Sequence, residues 1–128
     1  MAREFHFRGK TPDELNKLSI GDFSNMLKSR QRRLIKRGLK ENEKKFIEKV
    51  RMAGPNDYVK THLRYIPVLP CFVGKKIGIY QGKEYTSVII QNEMLGHRLG
   101  ELTQTRKRTV HSAAGLGATR GSKNVAKK

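Results

Sequence analysis

Apolar positions in the first third of the chain recur at helical intervals. Thr11-Pro12-Asp13-Glu14 reads as a capping box with proline at the first helical position, and its two acids face the positive end of the helix dipole. Ser19-Ile20-Gly21-Asp22 is a looser helix start, followed by Phe23, Met26 and Leu27 at helical spacing. The helical reading continues through the basic stretch from Lys28 to Lys40, where Leu34 and Ile35 are the apolar anchors and Gly38 is the expected stop. A further helix is expected over 41–52, with Phe46, Ile47 and Val50 as its apolar stripe. Ala53-Gly54-Pro55-Asn56-Asp57 ends it in a turn.

The period then shortens to two. Val59, Thr61 and Leu63 alternate with Lys60, His62 and Arg64, which predicts a strand with one face on a core and a cationic row on the other. Pro67 and Pro70 break the ladder. Lys76 to Tyr80 and Glu84 to Ile90 predict two strands joined by a tight turn at Gln81-Gly82-Lys83, with Ile77, Ile79, Val88 and Ile90 buried. Asn92 is the expected cap of a short helix that carries Met94 and Leu95 inward and is interrupted by Gly96 and Gly100. Beyond Leu102 no periodicity is sustained, and Gly115, Gly117 and Gly121 among small and basic residues predict a flexible tail. The expected class is therefore α+β. A small three-stranded sheet with short helices (54–102) follows a helical, basic N-terminal extension (1–53) and precedes a basic, glycine-containing tail (103–128).

Charge changes this picture more than composition does. The 128 residues carry 28 Lys and Arg against 11 Asp and Glu, a formal net charge of +17, and the excess is segregated. No acid occurs from Phe23 to Lys40, from Tyr58 to Lys83, or after Glu101. Unopposed blocks of this length repel one another unless a polyanion neutralises them, which points to nucleic acid. Hydrophobic content of 36% and the absence of Trp predict a modest core, with appendages ordered partly by a partner. Cys71 is alone, so no internal disulfide forms, and a reducing compartment is expected. His6, His62, His97 and His111 are too scattered for a zinc site, and no cofactor is expected. No apolar run approaches a membrane span or a signal-peptide core, so an intracellular protein without membrane contact is expected.

Catalytic readings are weak. Gly117 to Lys123 holds the residue types of a phosphate loop without its spacing or its flanking strand and helix. His97 and Glu101 stand four apart, but two glycines weaken any helix there, and the acid is expected to pair with Arg98 or Arg106. By contrast, Ser29-Arg30-Gln31-Arg32-Arg33 lacks the interleaved acids of a solvated helix face and matches Arg-rich RNA-binding helices as well as it matches nuclear-localisation signals.

Several motifs in order are more specific than any one alone: Val59-Lys60-Thr61-His62-Leu63-Arg64, Leu69-Pro70, Val73-Gly74-Lys75, Ile79-Tyr80-Gln81-Gly82-Lys83, Met94-Leu95-Gly96-His97, Leu99-Gly100-Glu101 and Thr105-Arg106-Lys107-Arg108. Together they closely resemble the universal small-subunit ribosomal protein family numbered S-nineteen, over nearly the whole chain. Phe7-Arg8-Gly9, Lys36-Arg37-Gly38-Leu39 and Gly115 to Arg120 resemble the extensions of its archaeal and eukaryotic branch, and Thr105 to Arg108 favours the archaeal side. The chain departs from the family at Tyr65, where an acid is usual, at Cys71 and Phe72, and at Leu102 to Gln104. Loss of the acid is expected to free the Arg64 guanidinium for phosphate.

The resemblance implies a three-stranded sheet with helices and a structural rather than enzymatic role in the cytoplasmic ribosome. It implies binding to the 3′ domain of small-subunit ribosomal RNA in the subunit head, a neighbouring S-thirteen protein, and a tail directed toward the tRNA sites. The competing class is a free-standing nucleic-acid binder, such as an RNA chaperone or chromatin factor. The candidate RNA contacts are Arg30, Arg32, Arg33, Lys36 and Arg37 in the first basic block, Lys60, His62 and Arg64 on the strand, then Lys75, Lys76, His97 and Arg98. Thr105, Arg106, Lys107, Arg108, His111, Arg120 and Lys123 complete them toward the C-terminus. Lys60, His62 and Arg64 are expected to meet phosphates and position the core without reading bases.

Overall fold

The computed structural model describes residues 4–110, so His111, Arg120 and Lys123, the RNA contacts expected in the tail, lie outside the described residues. Helix α1 (Pro12–Lys17) begins at the expected capping box: Thr11 Oγ1 accepts from the Glu14 N–H, and the Glu14 carboxylate accepts from the Thr11 N–H at 3.1 Å. Helix α2 (Ile20–Met26) is capped by Ser19, whose Oγ accepts from the Asp22 N–H at 3.1 Å. The run expected to continue to Gly38 is instead broken. Leu27 and Lys28 are extended, and α3 (Ser29–Lys36) starts afresh in a new direction. The bend lets Leu27 enter the core while Gln31 on α3 turns inward. Helix α4 (Glu41–Met52) has the expected bounds, and Phe46, Ile47 and Val50 are its buried stripe, with Glu43 beside them.

Three strands form one mixed sheet in the order β1 (Tyr58–Thr61), β2 (Lys76–Tyr80), β3 (Tyr85–Ile89). β1 and β2 are parallel, with Val59 opposite Ile77 and Thr61 opposite Ile79. β2 and β3 are the expected hairpin, pairing Ile77 with Val88 and Tyr80 with Tyr85. β1 stops three residues short of its expected end. Thr61 Oγ1 accepts from the Leu63 N–H at 3.0 Å and the Arg64 N–H returns to the His62 carbonyl at 2.8 Å, so local bonds replace the ladder.

Between β1 and β2 the chain runs antiparallel to residues near 96–100. Gly100, Leu99 and His97 bond the backbone of Arg64, Ile66 and Val68 at 2.8, 3.0 and 2.8 Å. Leu15, Phe23 and Leu27 join Phe46, Val50, Val59, Phe72, Ile77, Ile79 and Leu99 in one buried cluster, in which Phe46 and Phe72 meet edge-on at 5.7 Å. The N-terminal helices thus share the apolar core of the sheet. Ile77, Ile79 and Ile90 are buried as expected, while Val88 on the edge strand is only half-buried. Asn92 does not cap the following turn. It lies inside a 3₁₀ turn (Asn92–Met94) that delivers Leu95 to the core, and its Oδ1 is buried without a partner. No helix among the described residues is long and apolar enough to cross a membrane.

Candidate nucleic-acid interface

Alternation along the strands sorts side chains onto two sheet faces. Val59, Thr61, Ile77 and Ile79 face the core, which leaves Tyr58, Lys60, Lys76, Gly78, Tyr80, Tyr85, Ser87 and Ile89 on the other face by register. No carboxylate occupies these positions. His62, just past β1, lies against Tyr80 at 4.2 Å between ring centroids and against Tyr85 at 5.3 Å, and its Nε2 is 2.6 Å from the Tyr85 hydroxyl. The Lys60 ammonium lies 5.5 Å from the Tyr85 ring centroid and 5.8 Å from that of Tyr58. The outer face is therefore both cationic and aromatic.

A second cationic surface forms where α3 meets the loop strands. Arg30, Arg33 and Arg37 recur at helical spacing and line an open cleft of about 240 Å³ with Leu34, Tyr65 and Arg98. Gln31 Nε2 donates to the Gly96 carbonyl at 2.9 Å, and this bond holds α3 against the segment that carries Arg98. The Tyr65 hydroxyl donates to Glu43 Oε1 at 2.6 Å, which raises the Tyr65 pKa above its ordinary 10.0. No carboxylate lines the cleft itself. Lys36 is exposed on the same helix. Thr105, Arg106, Lys107 and Arg108 are exposed, and Thr105 and Lys107 share a shallow cleft with Lys83 beside the hairpin turn.

Some expected contacts are turned to other uses. Arg64 does not continue the cationic row. Its Nη1 donates to the Tyr80 carbonyl and Thr103 Oγ1, both at 2.6 Å, and its Nη2 donates to the Gly100 and Thr103 carbonyls at 2.8 and 2.9 Å. The Tyr65 departure therefore does not free this guanidinium. Gly100 passes so close that an added Cβ would lie 3.0 Å from the Arg64 carbonyl oxygen. The Lys75 ammonium donates to the Val50, Arg51 and Ala53 carbonyls, closing the C-terminal end of α4. Arg32 is half-buried, with Nη2 on the Leu27 carbonyl at 3.1 Å and Nε buried without a partner.

Glu101 pairs with His97 at 2.7 Å, not with Arg98 or Arg106, and the hydrogen bond from His97 lowers the Glu101 pKa below 4.5. This is the one ion pair within 4.0 Å among the described residues. Burial pushes the Cys71 thiol up, away from a reactive thiolate.

Sequence reasoning missed Tyr58, Tyr80 and Tyr85, although the alternation that selected Lys60 also places Tyr58 on its face. Two acid-free cationic surfaces on a small α+β scaffold are the mark of a nucleic-acid-binding protein. Residues 33–111 match the family model described as ribosomal protein S19. The chain is 48% identical over 126 residues to the small ribosomal subunit protein uS19 of Haloquadratum walsbyi, which covers 95% of this chain and 90% of the relative. It is 46% identical to the protein of the same name from Halobacterium salinarum, with the same coverage of each. This chain belongs to the ribosomal protein S19 family.

Proposed function

We propose that this chain is a non-catalytic structural constituent of the small ribosomal subunit that binds the subunit's ribosomal RNA. Membership of the S19 family supports this reading, and the arginine cleft is the observation that carries it within the molecule. Arg30, Arg33, Arg37 and Arg98 converge with no lining carboxylate, a charge arrangement that RNA phosphate satisfies bidentately. Lys60, His62 and Lys76 supply a second line of contacts on the sheet. Arg64 and Lys75 act inside the fold, holding the segment that ends at Thr103 and the end of α4.

The finer assignment is the 3′ domain of that RNA in the subunit head, beside an S-thirteen protein, with the chain beyond Thr103 directed toward tRNA. Its support is the motif resemblance together with the exposed basic run Arg106, Lys107 and Arg108. The test is co-sedimentation with small subunits through a high-salt wash, followed by cross-linking in intact subunits with RNA and protein partners read together. Retention in high salt and cross-links to the 3′ domain are expected. Stripping by salt would instead favour a free-standing nucleic-acid binder, because purely electrostatic contacts weaken steeply with salt.

A further inference from the structure

Tyr58 is 40% exposed at the start of the edge strand β1, on the sheet face turned away from the core, a position where a solvated sheet would carry a polar residue. Its ring lies over Gly78 of the neighbouring strand. A Cβ at that glycine would stand 2.4 Å from the Tyr58 hydroxyl and 2.5 Å from its ring carbon, so only a residue without a side chain leaves room for the ring. The ammonium groups of Lys60 and Lys76 each lie 5.8 Å from the ring centroid. A tyrosine ring is thus laid on the sheet between two cations, with no acid on that face.

We infer that Tyr58 is a stacking platform for an unpaired nucleobase of the bound RNA, with Lys60 and Lys76 taking the phosphates beside it. The inference rests on the RNA-binding reading and goes beyond it, because phosphate contacts alone need no ring. A duplex hides the faces of its bases, so the occupant is a nucleotide in a loop or bulge. On binding, the base covers the open π-face and the two ammonium groups shift from the ring to phosphate oxygens, where charge assistance is greater. Charge complementarity selects RNA over a protein neighbour for this face.

The chain has no Trp, so Tyr58→Trp installs a single fluorescent reporter at the platform. With a transcript of the 3′ domain, stacking should quench that fluorescence, and a fully paired duplex of equal length should not. Tyr58→Leu, which keeps apolar cover over Gly78, should bind the transcript roughly 5- to 150-fold more weakly with an unchanged salt slope, and Tyr58→Phe should retain affinity. Lys60→Ala should lower the slope by roughly 0.7 to 0.9 instead.

Circular dichroism of each variant separates a lost platform from a lost fold, and the Tyr58→Trp quench does not depend on the leucine variant folding. Equal affinity of Tyr58→Leu and the parent chain, or no quench with the transcript, overturns the stacking role while leaving the RNA reading intact. Quenching by the S-thirteen protein but not by the transcript makes this face a protein contact and likewise overturns it. Absence of any salt-dependent affinity in the parent chain would overturn the ribosomal reading itself.

Discussion

Replacing Arg64 with alanine removes a guanidinium that donates four hydrogen bonds, to Tyr80, Gly100 and twice to Thr103. Hydrogen bonds to a charged group contribute about 1.5–3 kcal/mol each, but these four share one donor group, and two fall on the same residue. Tyr80 and Gly100 are half-buried, so water recovers part of the loss there, while Thr103 is buried and its two acceptors stay unpaired. The expected net cost is about 2–4 kcal/mol, a large share of the roughly 5–15 kcal/mol that holds a domain together. For a domain of this size that corresponds to a fall in Tm of roughly 8–16 °C. Arg64→Lys should recover little of it, because an ammonium cannot span the forked acceptor set. Thermal unfolding of the free protein measures the first effect, and the salt dependence of RNA binding supplies the control. The expected outcome is a lower Tm with an unchanged salt slope. A Tm within about 2 °C of the parent, together with a slope reduced by roughly 0.7 to 0.9, would refute the clamp and restore Arg64 to the phosphate contacts.

Lys75→Met should lower stability by about 1–3 kcal/mol by leaving the last carbonyls of α4 without their cation, and urea unfolding should show this with no change in RNA salt slope. Tyr65→Phe strips the hydroxyl from the buried Glu43 carboxylate and should cost about 1–3 kcal/mol, read from the urea midpoint. Because that bond raises the Tyr65 pKa above 10.0, its stabilisation is complete below pH 10 and fades only as pH climbs through the raised value. Glu101 titrates below 4.5, so its stabilisation is present above that pH and is lost as pH falls through the lowered value. Both partners are about half exposed, which limits the energy to a few tenths of a kcal/mol. An NMR titration of the Glu101 carboxyl should move upward in His97→Ala, and an unmoved curve would remove His97 as the cause.

Local signals carried most of the architecture. Helix α4 was legible to its ends because a three-residue apolar stripe sits between acids at the start and a Gly-Pro turn at the finish. The β2–β3 hairpin was legible because its pairing is between neighbours in sequence. Arg64 was not legible, since a cation alternating with apolar residues reads as solvent-facing while its acceptors lie 16 to 39 residues away. Lys75 failed for the same reason, its acceptors being 22 to 25 residues back. The cleft was half legible. Helical spacing grouped Arg30, Arg33 and Arg37, but only the pairing of 64–68 with 96–100 brings Tyr65 and Arg98 to them. On the sheet, charge alone marks Lys60 as a contact, whereas Tyr58 and Tyr85 beside it carry no charge and join it only through strand register.

The scarcity of internal ion pairs has a consequence for handling the molecule. With 28 basic side chains and a single described pair that involves neither Lys nor Arg, little inside the folded chain offsets its own repulsion. Added electrolyte relaxes that repulsion by shortening the range over which the charges act, so the free protein should melt later in concentrated salt. The same salt displaces it from RNA. The two states therefore respond to ionic strength with opposite sign, and a buffer chosen to keep the isolated chain folded is the one least suited to reassembling it on its RNA. In dilute salt the roles exchange, and the polyanion itself becomes the stabiliser, raising the melting temperature with the logarithm of its free concentration once that exceeds Kd.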